Sequence, residues 1–574
     1  MKPPNFCIIP ALILMVMVIA AAGCISEGNG PAPTTNAAIP SSHGGWTTPA
    51  EKGPVFCVAF NPSCDRLLMA GSCGVDCVLD VQDGGVLAIH KHLNLRGCYS
   101  NAALYSNDGK SIASAAGRHE VEQWDSATGE TVRRLDVGVP QGQASGQNEV
   151  FDAVPVAFSP DDDLLAVESN RVAQPEVVLF DLTTGKKRLT FPLENHFNTY
   201  VPVLTMGRAA FRPGGKELAI ACFTDKICLW SLETGEKTRE LKCPILRTAD
   251  ALAISCDGRM LAFAISTWRF AGSRCEMPPL DPVNIENNAI QLCDLMNGQR
   301  LRPLKGHTDA VWSIAYSSDG RLILSGGADK TVRLWEALSG QELDRWDLDA
   351  KVNFVTMSPD CKKAAAAVFD DNHGRVNPQE WKGTVACFPL ERPVPDRPAE
   401  PLESGDFSRL WADLAADDAK QAYHAVQTLT AANDAAPKWL RERLRSVPKV
   451  PAAELARLIA DLGADDFDRR EAASKELAEL GDQAEAALRK ALENNPSAEA
   501  HSRIDKLLKP LGQWVVTDPD TLRSLRAIWV LERIGTPEAR AVLEDLAKGA
   551  PEVRQTQEAK AALDFLDKRA AAKP

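Results

Sequence analysis

The 574-residue sequence lacks the motifs that mark most enzymes and cofactor proteins. It has 15 cysteines, yet none follows Cys387, and they form no CxxC, no CxxCH and no Cys/His cluster at zinc-site spacing. Phosphate-binding loops of the GxxxxGK(S/T) type and the GxSxG turn of serine hydrolases are also missing. We therefore expect no cofactor and no nucleotide-dependent or serine-hydrolase activity.

An excess of positive charge is missing as well. The chain has 64 Lys and Arg residues against 77 Asp and Glu residues, which gives a net charge of −13. A nucleic-acid-binding protein needs a basic surface that displaces counterions from phosphates, so no nucleic-acid partner is expected. The hydrophobic share of 45% is typical of a globular chain, and the length predicts two or three domains.

The N-terminus has the layout of an export signal. Lys2 precedes an apolar run over residues 8–22, and the small residues Ala-Ala-Gly stand directly before Cys24. This arrangement resembles the lipobox of bacterial lipoproteins. The resemblance implies a signal peptide over residues 1–23 and lipidation of Cys24, so that the protein is exported and anchored to a membrane of the cell envelope. Two alternatives stay open: ordinary cleavage nearby, or an uncleaved anchor, because residues 6–23 just reach the length of a membrane span.

The clearest internal repeat covers residues 301–343. It opens with Gly-His at 306–307, continues through a strand pattern and a Ser-Asp-Gly turn at 318–320, and closes with Val-Arg-Leu-Trp at 332–335. This unit closely resembles the WD40 repeat. The resemblance implies a structural hydrogen-bond tetrad and makes its histidine a buried core residue rather than a catalyst. The four members are His307, Ser325, Asp329 and Trp335.

Two landmarks recur seven times in the chain, and each is an apolar or aromatic strand residue. The landmarks at the end of the first strand of each repeat are Phe60, Tyr105, Phe158, Phe211, Ile254, Tyr316 and Met357. The landmarks at the end of the third strand are Leu79, Trp124, Phe180, Trp230, Cys293, Trp335 and Phe388. They predict an all-β, seven-bladed propeller over residues 49–392. The seventh repeat lacks a fourth strand of its own, and the segment before Val55 is expected to supply it and close the ring.

The connections between the predicted strands differ in length on only one face of the propeller. Turns between the first and second strands have the same length in every repeat. The long connections join the second strand to the third, or one blade to the next, and both kinds emerge on the same face; they cover 136–152, 168–176, 192–206, 266–288 and 370–382. Long loops on a rigid scaffold often carry binding residues. The candidate protein-binding residues in these loops are Phe197, Tyr200, Trp268, Phe270, Arg274, His373 and Trp381.

Residues outside the propeller predict three further segments. Residues 24–48 have no hydrophobic periodicity and are interpreted as a flexible tether. A proline-rich linker at 393–404 leads to a helical-repeat domain at 405–574. In that domain the segment at 410–418 matches the one at 458–466 at an offset of 48 residues. The repeat length resembles that of HEAT-type solenoids.

Two sets of residues leave alternatives open. The pairs Cys73–Cys77 and Cys222–Cys228 flank tight turns and either oxidise after export or serve as small apolar strand residues. His90 and His92 share one strand face, but no third ligand is apparent in the sequence, so we expect no metal.

The sequence as a whole favours a non-enzymatic scaffold that binds other proteins and is tethered to a membrane. The alternative is a propeller enzyme or ligand sensor that uses the central channel. The sequence does not define an oligomeric state.

Overall fold

The computed structural model divides the chain into two units. One unit comprises Met1–Trp335 and Asp344–Arg392, and the other comprises Glu336–Leu343 and Pro393–Pro574. The structure describes residues 39–40, 45–49, 55–71, 74–92, 102–116, 119–138, 153–169, 175–193, 209–212, 214–222, 226–242, 249–255, 258–265, 288–295, 301, 303–370, 382–390, 402–494, 496–511, 516 and 518–571.

The strands form seven antiparallel sheets, which are the blades of a seven-bladed β-propeller, as predicted. Blades one to four and blade six have four strands each, in chain order, and blade five has three strands in the described part of the chain. The strands are β1 Ile39–Pro40, β2 Trp46–Pro49, β3 Val55–Phe60, β4 Arg66–Gly71, β5 Val75–Asp80, β6 Val86–Lys91, β7 Ala103–Tyr105, β8 Ser111–Ala115, β9 Glu120–Asp125, β10 Thr131–Asp136, β11 Ala153–Phe158, β12 Leu164–Ser169, β13 Glu176–Asp181, β14 Lys186–Pro192, β15 Ala209–Phe211, β16 Glu217–Cys222, β17 Lys226–Ser231, β18 Lys237–Lys242, β19 Ala249–Ile254, β20 Met260–Ile265, β21 Ile290–Asp294, β22 Val311–Tyr316, β23 Leu322–Gly327, β24 Thr331–Glu336, β25 Glu342–Asp347, β26 Lys351–Met357, β27 Lys363–Asp370 and β28 Lys382–Pro389.

Burial follows the position of a strand within its blade. Every residue of β12 and of β23, the second strands of blades three and six, is buried. The fourth strand β18 has one buried residue among six. Because the middle strands pack against a neighbouring blade on each side, they are apolar along most of their length rather than alternating. Phe180 of blade three and Val121 of blade two, for example, share one core cluster.

The turn between the first and second strands is the same in all seven blades. The fourth residue after each first-strand landmark has a positive φ and donates its N–H to the carbonyl three residues earlier. These residues are Cys64, Gly109, Asp162, Gly215, Gly258, Gly320 and Cys361, with φ between 58° and 72°. Positive φ favours glycine, so the four glycines suit this position and the other three residues adopt a left-handed conformation there. The constant spacing seen in the sequence therefore reflects one conserved turn geometry within the molecule.

The ring closes through an N-terminal strand, as predicted. Strand β2 pairs with β28 in blade seven, with Trp46 opposite Cys387 and Pro49 opposite Thr384. Trp46 is buried, and its indole N–H donates to the carbonyl oxygen of Val81 at 2.9 Å. Strand β1 pairs in turn with β2. Strand residues therefore occur within the last ten residues of segment 24–48, for which the sequence predicts a tether.

Ten helices follow in the described part of the second unit. They are α1 Ser404–Asp413, α2 Ala419–Ala431, α3 Ala436–Arg441, α4 Ala452–Asp461, α5 Phe467–Leu480, α6 Asp482–Glu493, α7 Ala498–Leu511, α8 Pro519–Ile534, α9 Pro537–Ala547 and α10 Arg554–Ala571. The first residues of helices α1 and α4 are 48 residues apart, and so are their last residues. The first residues of α2 and α5 are also 48 residues apart. The helical C-terminal domain and its internal repeat are thus present.

The helix boundaries agree with the capping residues in the sequence. Asp418 and Asp466 occupy equivalent N-cap positions and accept hydrogen bonds from the backbone of α2 and α5. Gly535 ends α8 in the left-handed conformation, and the Thr536 side chain caps α9 at its first turn. Pro537 is the first residue of α9, a position that needs no backbone N–H.

Candidate functional site

The four side chains of the predicted tetrad meet inside blade six. His307 precedes β22, Ser325 lies on β23, Asp329 lies in the following turn and Trp335 lies on β24. The Trp335 indole N–H donates to Ser325 Oγ at 2.8 Å, and His307 Nε2 lies 2.7 Å from the same oxygen. His307 Nδ1 lies 2.9 Å from Asp329 Oδ2. The blade is therefore crossed by a continuous chain of hydrogen bonds.

The chemistry of these groups fixes the direction of each hydrogen bond. A carboxylate only accepts, so His307 Nδ1 carries the proton that is donated to Asp329. His307 Nε2 then accepts the hydroxyl proton of Ser325, whose oxygen accepts the proton from Trp335. Gly327 lets the start of β22 lie close to the end of β23, because a Cβ atom at residue 327 would clash with the carbonyl oxygen of Ala310. The arrangement orders the blade and leaves no group of the tetrad facing solvent.

The environment of Asp329 keeps its carboxylate ionised. Burial raises its pKa, but hydrogen bonds from His307, the Thr308 backbone and the Thr331 hydroxyl outweigh that effect and lower the pKa to about 2. The side chains of His307 and Asp329 are 0% and 2% exposed. Neither group reaches solvent, which agrees with the structural role that the sequence analysis expects for this histidine.

Blade two contains half of such a tetrad. The Trp124 indole N–H donates to Ser114 Oγ at 3.0 Å, and both side chains are fully buried. The spacing of ten residues is the same as between Ser325 and Trp335. This spacing is a sequence signal from which the pair could have been predicted. The ring of His90 from blade one stacks on Trp124 with centroids 4.8 Å apart.

A second histidine cluster lies between blades one and two. His90 Nε2 and His92 Nδ1 lie 2.9 and 2.7 Å from the same oxygen of Glu122, which is on β9 of blade two. His92 Nε2 lies 2.9 Å from Asp76 Oδ2, and Arg134 Nε donates to the other oxygen of Glu122 at 2.7 Å. The sequence analysis found the two histidines but missed their partners. Glu122 is a third side chain with a possible ligand atom, and it was not apparent from the sequence.

The charges of this second cluster reinforce one another. Burial raises the pKa of Glu122, but hydrogen bonds from His90 and His92 outweigh this and hold the pKa well below its usual range. Burial lowers the pKa of His92, but hydrogen bonds to Asp76 and Glu122 outweigh this and raise the pKa to about 9. When these hydrogen bonds carry their protons, Glu122 and His92 form a buried pair of opposite charges.

The residues proposed for lipidation and for protein binding lie outside the described part of the chain. They are Cys24, Phe197, Tyr200, Trp268, Phe270, Arg274, His373 and Trp381. Among the helices that the structure describes, none has the length and apolar character to cross a membrane.

The strand ends that flank the long connections are nevertheless described. In blade three, Ala153 lies opposite Ser169, Ser169 opposite Glu176, and Glu176 opposite Pro192. These four residues adjoin three of the long connections, so those connections start and end at one edge of the blade. In blade seven, Asp370 lies opposite Lys382, and these two residues flank a further long connection.

The cysteine pair in blade four is not oxidised. The Sγ atoms of Cys222 and Cys228 are 3.5 Å apart, well beyond the length of an S–S bond of about 2.05 Å. Both are buried in a core cluster with Leu218 and Ile220, where they fill space as small apolar residues. Cys73 of the other pair lies outside the described residues.

Together, the seven antiparallel blades and the His-Ser-Asp-Trp tetrad define a propeller of the WD-repeat class. Residues 298–336, which contain the tetrad, match the family model described as WD domain, G-beta repeat. The chain thus contains a WD40 repeat within a seven-bladed β-propeller, which is followed by a helical C-terminal region.

Curated relatives match short parts of the chain. An uncharacterised WD repeat-containing protein of Synechocystis is 35% identical over 129 residues, which is 22% of this chain and 31% of the relative. Eukaryotic translation initiation factor 3 subunit I is 34% identical over 18% of this chain in Candida albicans and 41% identical over 16% in Coccidioides immitis. Those matches cover 28% and 25% of the relatives. The chain thus spans less than a third of these relatives. Proteins of the WD40 family generally bind other proteins and are generally not enzymes.

Proposed function

We propose that this protein is a membrane-tethered scaffold outside the cytoplasm, and that it binds partner proteins on the propeller face that carries the long loops. The observation that supports this most is the common edge of Ala153, Ser169, Glu176 and Pro192 in blade three. Loops that start there extend from a fixed framework and form one surface. A relative named as a subunit of an initiation factor agrees with a role in protein assemblies.

The two faces of the propeller differ in a way that favours this assignment. On the opposite face, side chains and backbone of neighbouring blades bind each other: Asp162 accepts hydrogen bonds from the backbone of Asn107 and Asp108 in the preceding blade. Ser318 donates to the carbonyl oxygen of Pro359 in the next blade. The polar groups of this face are used to stabilise the ring, and the loop face is therefore the better candidate for a partner.

Site-specific photo-crosslinking tests the choice of face. A photoreactive amino acid is placed at Trp268 or Trp381 in the long loops of the full-length protein, and at the exposed turn residues Thr183 or Glu233 as matched controls. We expect the loop positions to crosslink one common partner and the control positions to give no crosslink to it. A third probe at the exposed Phe467 of α5 reports on the helical domain.

The distribution of crosslinks decides between the models. Capture of the same partner from Thr183 or Glu233 contradicts the loop-face model. Capture from Phe467 alone assigns partner binding to the helical domain and leaves the protein a scaffold.

The tether is tested through its cysteine. The apolar run before Cys24 motivates the proposal of a lipid anchor. We expect wild-type protein to fractionate with membranes and Cys24→Ser to appear in the soluble or unprocessed fraction. Metabolic labelling with a fatty-acid analogue should give signal in the wild type and none in the variant. Wild-type protein found in the cytosolic fraction would contradict export.

A further inference from the structure

Three metal-ligand side chains converge between blade one and blade two. His90 lies near the end of β6, His92 follows the last residue of β6, and Glu122 lies in the middle of β9. One ligand atom of each residue lies within 4.8 Å of the others. We infer that these residues form a binding site for one divalent transition-metal ion of the zinc type. This inference is independent of the proposed scaffold function.

The outer nitrogen of each imidazole has an oxygen partner that orients the ring. His90 Nδ1 lies 2.9 Å from the carbonyl oxygen of Gly129, and His92 Nε2 lies 2.9 Å from a carboxylate oxygen of Asp76. A backbone carbonyl cannot donate, and a carboxylate is an acceptor, so both outer nitrogens carry protons. In the neutral imidazole the inner nitrogen then presents its lone pair.

Those inner lone pairs face another acceptor. Glu122 Oε2 lies 2.9 Å from His90 Nε2 and 2.7 Å from His92 Nδ1. Three acceptor atoms at such distances need positive charge between them, because otherwise their lone pairs repel each other. Either both imidazoles carry a second proton or one metal ion takes the place of those protons.

The surroundings match the outer shell of known metal sites. A histidine ligand almost always donates its other N–H to a carboxylate or a backbone carbonyl, which are the partners of His92 and His90 here. Ligating carboxylates are themselves hydrogen-bonded, and Arg134 Nε binds Glu122 Oε1 at 2.7 Å. Glu122 therefore keeps only Oε2 for the ion and would bind through one oxygen.

The ligand set and the available space indicate the kind of ion. Two imidazoles and one carboxylate, with no thiolate, suit Zn²⁺ and its neighbours rather than Ca²⁺ or Mg²⁺. Zinc bonds of about 2.0–2.1 Å in tetrahedral geometry separate the ligand atoms by about 3.3 Å, so each imidazole has to withdraw from Glu122 by roughly half an ångström. Such a shift is within the reach of side-chain rotation.

Burial indicates a structural role for the ion. The side chains of His90, His92 and Glu122 are 3%, 1% and 3% exposed. The ligands come from two blades, so a bound ion would join them across their interface. Metal binding to the folded state alone stabilises that state.

The test uses full-length protein purified without a polyhistidine tag and stripped of metal by a chelator. Equilibrium dialysis against Zn²⁺ and elemental analysis should give one tightly bound ion per chain, and Zn²⁺ should raise the melting temperature above that of the stripped protein. Co²⁺ as a spectroscopic probe should show visible absorption bands without the near-ultraviolet charge-transfer band of thiolate ligands. This arm separates the site from any site formed by cysteines.

Variants assign the ion to these residues. Glu122→Gln should abolish binding, and Asp76→Asn should weaken it about 10- to 100-fold, the usual effect of losing an outer-shell partner. His501→Gln is the matched control, because His501 also pairs with a carboxylate but is exposed on α7. Absence of bound Zn²⁺ in the wild type together with no change in melting temperature would overturn the inference. So would an ion that persists in Glu122→Gln. If Glu122→Gln does not fold, three other results decide whether the site binds metal. They are the number of ions bound per wild-type chain, the Co²⁺ spectrum and the affinity of Asp76→Asn.

Discussion

The propeller contains two buried histidine clusters, one that connects strands within a blade and one that connects two neighbouring blades. The tetrad of blade six joins strands of one blade, and its hydrogen bonds run in one direction from Trp335 to Asp329. The cluster of His90, His92 and Glu122 joins two blades, and its inner nitrogens face a carboxylate. In the tetrad, each hydrogen bond has one donor and one acceptor, so the position of every proton is defined. In the second cluster, the positive charge between the rings and Glu122 comes either from a second proton on each imidazole or from a bound ion.

This difference explains why similar residues have different roles. In the tetrad, a serine hydroxyl lies between histidine and tryptophan and can both donate and accept, so neutral groups satisfy each other. Between blades one and two, Glu122 Oε2 lies directly against a ring nitrogen of both histidines. A carboxylate can only accept hydrogen bonds. When it is buried beside two imidazoles, as Glu122 is, the contact becomes either an ion pair or a metal site.

Removal of the tryptophan from the complete tetrad should have the largest effect. Trp335 is 1% exposed, and Trp335→Ala should lower the free energy of unfolding by about 3–5 kcal/mol because it leaves a large cavity. Trp335→Phe keeps most of the ring and loses only the N–H donor, so it should cost about 1 kcal/mol. Urea unfolding followed by circular dichroism measures both. An unchanged unfolding midpoint for Trp335→Ala would show that the tetrad does not stabilise the blade.

The tetrad was accessible from the sequence because the repeat over residues 301–343 resembles the WD40 repeat. His307 and Trp335 both lie in that repeat, so the resemblance to a single repeat implied the whole tetrad. The seven constant turns were also accessible, because local backbone geometry selects particular residue types there. Closure of the ring by the segment before Val55 followed from counting strands.

The second cluster was not accessible in this way. Glu122 is 30 residues from His92 in the sequence and belongs to another blade, so only the packing of two blades brings them together. On the same strand, Trp124 donates to a serine as in a tetrad, but the histidine next to it comes from blade one and stacks on its ring. Contacts between repeats depend on the pairing of strand faces, which a repeat pattern does not encode.

Acid should weaken the tetrad in a defined pH range. The ordinary pKa of 3.8 for Asp329 falls to about 2 in the folded protein, so the folded state binds fewer protons than the unfolded state between these values. The stabilisation is present above about pH 3.8 and is lost as the pH falls through about 2. The unfolding midpoint of Asp329→Asn should therefore depend less on pH in this range than that of the wild type. Asp347→Asn, at an exposed position of the same blade, is the control and should retain the wild-type slope.

The smallest effect should come from the incomplete tetrad of blade two. Among the described residues, Ser114 accepts from Trp124, so Ser114→Ala leaves one buried donor without its acceptor and should cost about 1 kcal/mol. Ser325 accepts from Trp335 and donates to His307, so Ser325→Ala disturbs two partners and should cost roughly twice as much. The two substitutions remove the same atom from fully buried positions, which makes their difference a measure of the histidine's contribution. Urea unfolding of both variants gives that difference. Equal losses would mean that His307 adds nothing to the Trp–Ser pair, because a histidine that stabilises the blade must make the loss of its serine partner more costly.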